Sequence, residues 1–160
     1  MKNILITGGL GYIGSSLMKQ IDFRNVNKIV IVDLDLFQTE EKLKNLFKKK
    51  NAESKVIVKK INFVNTTALD KIFKKHKINI VIHLGGLVGD PACAFNIQLT
   101  KKINTIATNE LVDLSVKHGV VKFIYASTCS VYGINEELCS ENTEPKPISE
   151  YARSKLEGEM

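Results

Sequence analysis

The chain has 160 residues, of which 44% are hydrophobic and 25% charged, and its formal net charge is +6. That length suffices to bury one good core, and the composition is that of an ordinary globular domain rather than a disordered or collagen-like one. No run approaches the roughly 20 apolar residues that span a bilayer, and three cysteines (Cys93, Cys129, Cys139) without a CxxC pair disfavour a disulfide framework or a zinc site and fit a reducing cytoplasm.

In chain order, Asn3–Thr7 is a short apolar run that leads straight into glycines, so it reads as a first strand rather than a signal peptide. Leu10, Ile13, Leu17, Met18 and Ile21 follow at helical spacing. Lys28–Asp33 predicts a second strand and Glu40–Lys50 an amphipathic helix. Lys55–Lys60 predicts a third strand, and Thr66–His76 a helix with Thr66 or Thr67 available to cap it. Asn79–Leu84 is a fourth strand, and Val88–Cys93 after it reads as a loop. A long helical stretch over about Asn96–His118 ends at Gly119, where a C-terminal glycine belongs. Val120–Ala126 is a fifth strand, and a last helix begins at Ser149 behind Pro145 and Pro147.

Strands apolar on both faces, each followed by a helix, predict an α/β fold with a doubly wound parallel sheet of the Rossmann type. One dinucleotide-binding domain over residues 1–160 is expected, with five strands written, the sixth absent and no substrate domain, as in the N-terminal part of a longer chain. The Lys-rich runs 42–50 and 71–77 fall on the polar faces of the helices, with Leu43, Leu46, Phe47 and Leu69, Ile72, Phe73 opposite. No aromatics interleave with them, so a solvated surface is expected and no nucleic-acid partner.

The turn Thr7-Gly8-Gly9-Leu10-Gly11-Tyr12-Ile13-Gly14 lies between the first strand and the first helix. In this GxxGxxG spacing one glycine permits the tight turn, one lets a pyrophosphate approach the backbone, and one allows close helix–strand packing. No GK[ST] follows, which disfavours a P-loop. Asp33 closes the second strand, where a carboxylate accepts from the adenosine ribose hydroxyls and repels a 2′-phosphate. No arginine follows nearby, so NAD is expected over NADP. Asp35 lies past the strand end and is the weaker candidate.

Two later segments carry chemistry: Ser127-Thr128-Cys129-Ser130-Val131-Tyr132-Gly133 after the fifth strand, and Tyr151-Ala152-Arg153-Ser154-Lys155 at the start of a helix. Residues four apart share a helix face. A free phenol is a poor base at neutrality, and a nearby ammonium together with a nicotinamide cation favours the phenolate. Such a phenolate can take the proton of a sugar hydroxyl while the carbinol carbon gives up hydride.

Taken together, TGGLGYIG, VDL at Asp33, VIHLGG at 81–86, STCSVYG and YARSK resemble the extended short-chain dehydrogenase/reductase family, the NAD-dependent nucleotide-sugar epimerases and dehydratases. The resemblance runs over essentially the whole chain. It implies that Gly8, Gly11, Tyr12, Ile13 and Gly14 hold the pyrophosphate and Asp33 the adenosine ribose. Asn62 and Phe63 stand at the adenine, where the family usually has Asp and an aliphatic residue. Leu84, Gly85 and Gly86 line the cofactor, and Asn104 matches a helix Asn near the nicotinamide. Thr128 matches the catalytic hydroxyl, Tyr151 the base, and Lys155 the residue that holds the nicotinamide ribose and tunes the tyrosine. Ser127 touches cofactor or substrate. No metal is implied. His83 reads as a satisfied core histidine, Tyr132 as a packing residue and Cys129 as an incidental neighbour.

The family's dehydratases carry an Asp immediately after the catalytic Thr and an acid in the next place, where this chain has Cys129 and Ser130. Without those carboxylates, loss of water is poorly supplied. Epimerisation through a keto sugar needs only the hydride couple, the base and the hydroxyl, so the expectation is an NAD-dependent epimerase acting on a nucleotide sugar. A dehydratase or reductase of the same family, and an NAD-sensing binding protein on the same fold, are the alternatives. A cytoplasmic protein is expected from the cysteine usage, and the resemblance implies a homodimer in the full-length protein.

Overall fold

The computed structural model describes residues 1–136 and 138–160, arranged as two compact units. The first comprises residues Met1–Gly85 and Leu111–Tyr125, and the second Gly86–Glu110 and Ala126–Met160.

In the first unit the strands are β1 (Lys2–Thr7), β2 (Val26–Asp33), β3 (Val56–Lys60), β4 (Ile80–His83) and β5 (Lys122–Tyr125). Every pairing is parallel and the order is β3-β2-β1-β4-β5. Parallel neighbours require crossovers, and α1 (Tyr12–Gln20), α2 (Thr39–Lys49) and α3 (Thr66–His76) supply them. The middles of the central strands are buried: Leu5, Ile6, Ile29, Val30, Ile31, Val32 and Val81 have no exposed surface. Met18 of α1 and Leu43 and Phe47 of α2 pack onto one face of this layer. The doubly wound parallel sheet expected from the alternating apolar runs is therefore the fold observed.

The second unit holds α4 (Asp90–Phe95), α5 (Ile97–Thr100), a π-helical turn over Lys101–Ile106, the start of α6 (Ala107–Lys117), a 3₁₀ turn over Cys129–Tyr132 and α7 (Glu150–Glu157). α7 packs against α4, α5, the π turn and the 3₁₀ turn. Its start is set by Ser149, whose hydroxyl accepts from the Ala152 N–H at 3.1 Å.

Local details differ from the sequence expectations in three places. The cap of α3 is Asn65, whose Oδ1 accepts from Ala68 N–H at 3.0 Å, rather than Thr66 or Thr67. Residues 90–93, read as loop, open a helix, with Pro91 in its first turn, where a missing N–H costs nothing. The long helix after Asn96 is interrupted by the π turn, within which Asn104 is buried.

Candidate active site

In the first unit the glycine turn is built by close backbone approach. Gly8 sits at φ +68°, and a Cβ there would lie 2.6 Å from the Gly85 nitrogen. A Cβ on Gly14 would lie 2.5 Å from the Gly9 backbone, while one on Gly11 would meet the Gly8 oxygen only at 3.2 Å. The turn is tied to the sheet by Gly8 N–H to Val32 O (2.9 Å) and Leu84 N–H to Thr7 O (3.0 Å). Under it, the buried Thr7 hydroxyl accepts from Gly85 N–H at 3.3 Å and shares a hydrogen bond with His83 Nδ1. His83 is fully buried, edge-on to Phe63 at 5.1 Å and stacked on Tyr125 at 5.6 Å, the core role expected for it.

The chemistry of this turn suits a dinucleotide pyrophosphate. The first N–H groups of α1, beginning at Tyr12, have no acceptor within the helix, and the macrodipole places partial positive charge there. Among the described residues, α1 has no capping side chain and no acid in its first turn. Tyr12 and Ile13 point their side chains outward, 93% and 59% exposed, so it is the backbone that the turn presents. At the end of β2, Asp33 is half-buried, and both its oxygens are engaged: Oδ2 by Leu10 N–H and Oδ1 by Asp35 N–H, each at 2.9 Å. Each oxygen keeps a further lone pair for a hydroxyl. Asn62 Oδ1 accepts from Val64 N–H at 3.2 Å and likewise keeps acceptor capacity. Phe63 is buried beside Gly85, where a Cβ would meet its ring at 2.9 Å.

The second unit carries the hydroxyl, the phenol and the amine. Thr128 is half-buried and extended; its Oγ1 accepts from Ser130 N–H at 3.3 Å, which leaves its own O–H to donate. The neighbouring Ser127 hydroxyl is exposed and donates to the Glu159 carboxylate. Tyr151 is half-buried in the first turn of α7, and Lys155 lies one turn further, only 6% exposed. Asn104 is buried and fully engaged: its Oδ1 accepts from Leu87 N–H at 2.8 Å, and its Nδ2 donates to Leu87 O and Ser154 Oγ, both at 3.0 Å. Ser154 Oγ in turn donates to the Tyr151 carbonyl at 2.8 Å, so Asn104 steadies the turn of α7 between Tyr151 and Lys155. Gly86 leaves the space this arrangement needs, since a Cβ there would lie 2.9 Å from Asn104 Oδ1.

Burial pulls the Lys155 ammonium down to about 8, against the opposing pull of the Glu159 and Cys93 charges. For a base with a depressed folded value, the native state binds fewer protons than the unfolded chain between about 8 and 10.5, so stability rises with pH across that window. The full effect is about 3 kcal/mol, at 1.36 kcal/mol for each pH unit. Lys155→Met is expected to abolish this rise and to raise thermal stability at pH 7, because the buried charge is gone. Melting curves of both proteins from pH 7 to 10.5 check it, and parallel curves would refute it.

The sequence placed Thr7 at the head of the glycine turn and Lys60 at the end of the third strand, but assigned neither a role of its own. Thr7 carried a signal, since a hydroxyl directly before the glycines breaks the apolar run. Lys60 carried none.

A parallel 3-2-1-4-5 sheet that brings a glycine turn and a strand-end acid together defines a dinucleotide-binding domain of the Rossmann type. The chain belongs to the NAD dependent epimerase/dehydratase family, whose family model matches residues 4–160. It is 30% identical over 158 residues to the UDP-glucose 4-epimerase GEPI48 of Cyamopsis tetragonoloba, covering 97% of this chain and 45% of that protein. It is 35% identical over 136 residues to the dTDP-D-glucose 4,6-dehydratase of Dictyostelium discoideum, covering 83% of this chain and 30% of that one. Among solved structures, the UDP-Glc/GlcNAc 4-epimerase of Campylobacter jejuni superposes with a TM-score of 0.88 at 27% identity, over 99% of this chain and 47% of that one. The UDP-glucuronic acid 4-epimerase of Bacillus cereus in complex with NAD gives 0.81 at 29%, over 98% and 50%. The chain thus spans about half the length of the relatives it matches.

Proposed function

We propose that this chain is the NAD-binding and proton-transfer part of a nucleotide-sugar 4-epimerase. The observation that carries the reading is the helix α7, which presents Tyr151 and, one turn on, a buried Lys155, in a chain whose glycine turn and Asp33 are built for NAD. NAD⁺, when bound, supplies the hydride acceptor. Tyr151 takes the proton of the sugar hydroxyl that is being oxidised. Thr128 donates its O–H to the same oxygen as charge develops there, which preorganised donors stabilise better than water does. Lys155 keeps positive charge next to the phenolate and holds the nicotinamide ribose. Return of the proton from Tyr151 to the keto oxygen, together with return of the hydride that the bound cofactor would hold to the opposite face of the same carbon, would complete inversion with no net oxidation.

Nucleotide-sugar relatives favour this substrate class: the Cyamopsis, Campylobacter and Bacillus proteins are all named as 4-epimerases of UDP-sugars. The second reading, a dehydratase, is favoured by the 35% identity to the Dictyostelium protein. Against it, Cys129 and Ser130 stand where the dehydratases carry acids, and proton donation to a leaving hydroxyl needs one. An NAD-sensing role is disfavoured because Tyr151 and Lys155 are both kept. We further propose a cytoplasmic homodimer paired through the long helical segment of the second unit, where Phe95, Ile97, Leu99 and Ile106 are exposed apolar residues.

The test is incubation of the protein with NAD⁺ and a panel of UDP- and dTDP-hexoses, with products read by NMR. The C4 epimer should form with no accumulation of NADH. A 4-keto-6-deoxy product would favour the dehydratase, and NAD⁺ binding without turnover of any sugar would favour the sensor.

A further inference from the structure

The turn between β2 and α2 contains more machinery than ribose binding by one acid requires. Asp33 is held by two N–H groups, and the second comes from Asp35, whose backbone sits at φ +56°. A non-glycine residue there is uncommon and strained, so something else must hold it. Its own carboxylate does so: only 5% exposed, it accepts from Thr39 N–H at 2.7 Å, Glu40 N–H at 3.2 Å and Lys60 Nζ at 2.9 Å. Lys60 closes β3 directly opposite Asp33 in the parallel register, and its ammonium also reaches Glu40 Oε2 at 3.0 Å. Asp35 and Glu40 therefore share a single cation. The Lys60 ammonium, with the Glu40 and Thr39 N–H groups, holds the Asp35 carboxyl below its usual range.

We infer that Lys60 is a positioning residue that determines cofactor specificity: through Asp35 it orients the Asp33 carboxylate so that ribose hydroxyls are accepted and a 2′-phosphate is refused. The inference rests on the reading that this chain binds NAD. A carboxylate held by one donor can turn about its Cβ–Cγ bond, and two donors on different oxygens fix its plane. Removing the ammonium leaves the enclosed Asp35 carboxylate and the partly exposed Glu40 carboxylate facing each other uncompensated. The left-handed Asp35 then keeps only the Thr39 and Glu40 N–H groups, both on Oδ1, and with Oδ2 unheld its hold on the Asp33 carboxylate through its own N–H is loosened. The effect is transmitted through Asp35, so Lys60 need not touch the cofactor.

Isothermal titration of the protein with NAD⁺ and with NADP⁺ tests this, on the wild type, Lys60→Met, Lys60→Arg, Asp33→Asn and the double variant Asp33→Asn/Lys60→Met. Lys60→Met should weaken NAD⁺ roughly tenfold, the scale of a buried polar group losing its partner, and should narrow the preference over NADP⁺. Lys60→Arg, which can still bridge both acids, should retain most of the preference. In the double variant the two losses should not multiply, because both act on one carboxylate. Unchanged NAD⁺ affinity in Lys60→Met, or losses that multiply in the double variant, would overturn the inference and leave the NAD-binding reading standing. Failure of the wild type to bind NAD⁺ would overturn both. Should Lys60→Met not fold by circular dichroism, Asp35→Asn takes its place with the same expected direction.

Discussion

Tyr151→Phe is expected to lower turnover of the nucleotide sugar by about a thousandfold, the middle of the range for loss of a positioned general base. The substitution deletes one oxygen from the first turn of α7 and leaves the ring. The helix does not depend on that oxygen: its cap is Ser149 to Ala152, and the Tyr151 group that Ser154 uses is the backbone carbonyl. Stability should therefore move little. NAD⁺ affinity should also stay near the wild-type value, because the pyrophosphate and adenosine ribose are proposed to be held by Gly8–Gly14 and Asp33. The combination is diagnostic: loss in kcat with little change in cofactor binding marks an interaction made in the transition state. If turnover survived the change, Tyr151 would not be the base.

Gly14→Ala should destabilise the protein by about 2–4 kcal/mol, the range of severe core strain, and should weaken NAD⁺ binding strongly. In an ordinary helix interior, the same change stabilises by about 1 kcal/mol. The sign reverses here because the new methyl would stand 2.5 Å from the backbone of Gly9, a contact that rigid main chain cannot relieve by turning a side chain. The start of α1 must then lift from the turn, carrying the N–H groups at Tyr12 and Ile13 away from where a pyrophosphate would sit. Gly11→Ala is the graded control, since its methyl meets only the Gly8 oxygen, at 3.2 Å. Denaturant melts and NAD⁺ titration of both variants check the prediction. Equal effects at the two positions would mean that close packing of this turn is not what the spacing serves.

How much of this was legible without coordinates depends on how local each cause is. Strands β1, β2 and β4 announce themselves because a strand covered on both faces must be apolar at every position, as Ile29–Val32 are. The α3 helix was bounded correctly, but its cap was misplaced by one or two residues. Asn65, Thr66 and Thr67 are all competent acceptors, and only the backbone angles choose among them. Residues 88–93 were read as loop, yet 90–93 open a helix of only six residues, too short for a helical period to show, with Pro91 in its first turn. The π turn left no mark in the pattern. It is nevertheless what Asn104 belongs to, with both its side-chain polar atoms committed to Leu87 and Ser154.

The residues themselves determined the architecture of the sheet and the location of the glycine turn. They also determined which phenol and amine share a helix face. Each of these follows from spacing over a few residues, where backbone geometry leaves little choice. Tertiary structure alone decided that Lys155 is buried and pulled toward neutrality, and that Lys60 reaches Asp35 from another strand. Charge and orientation at those points are set by desolvation and by partners that parallel register brings alongside, and neither quantity exists until the chain has folded.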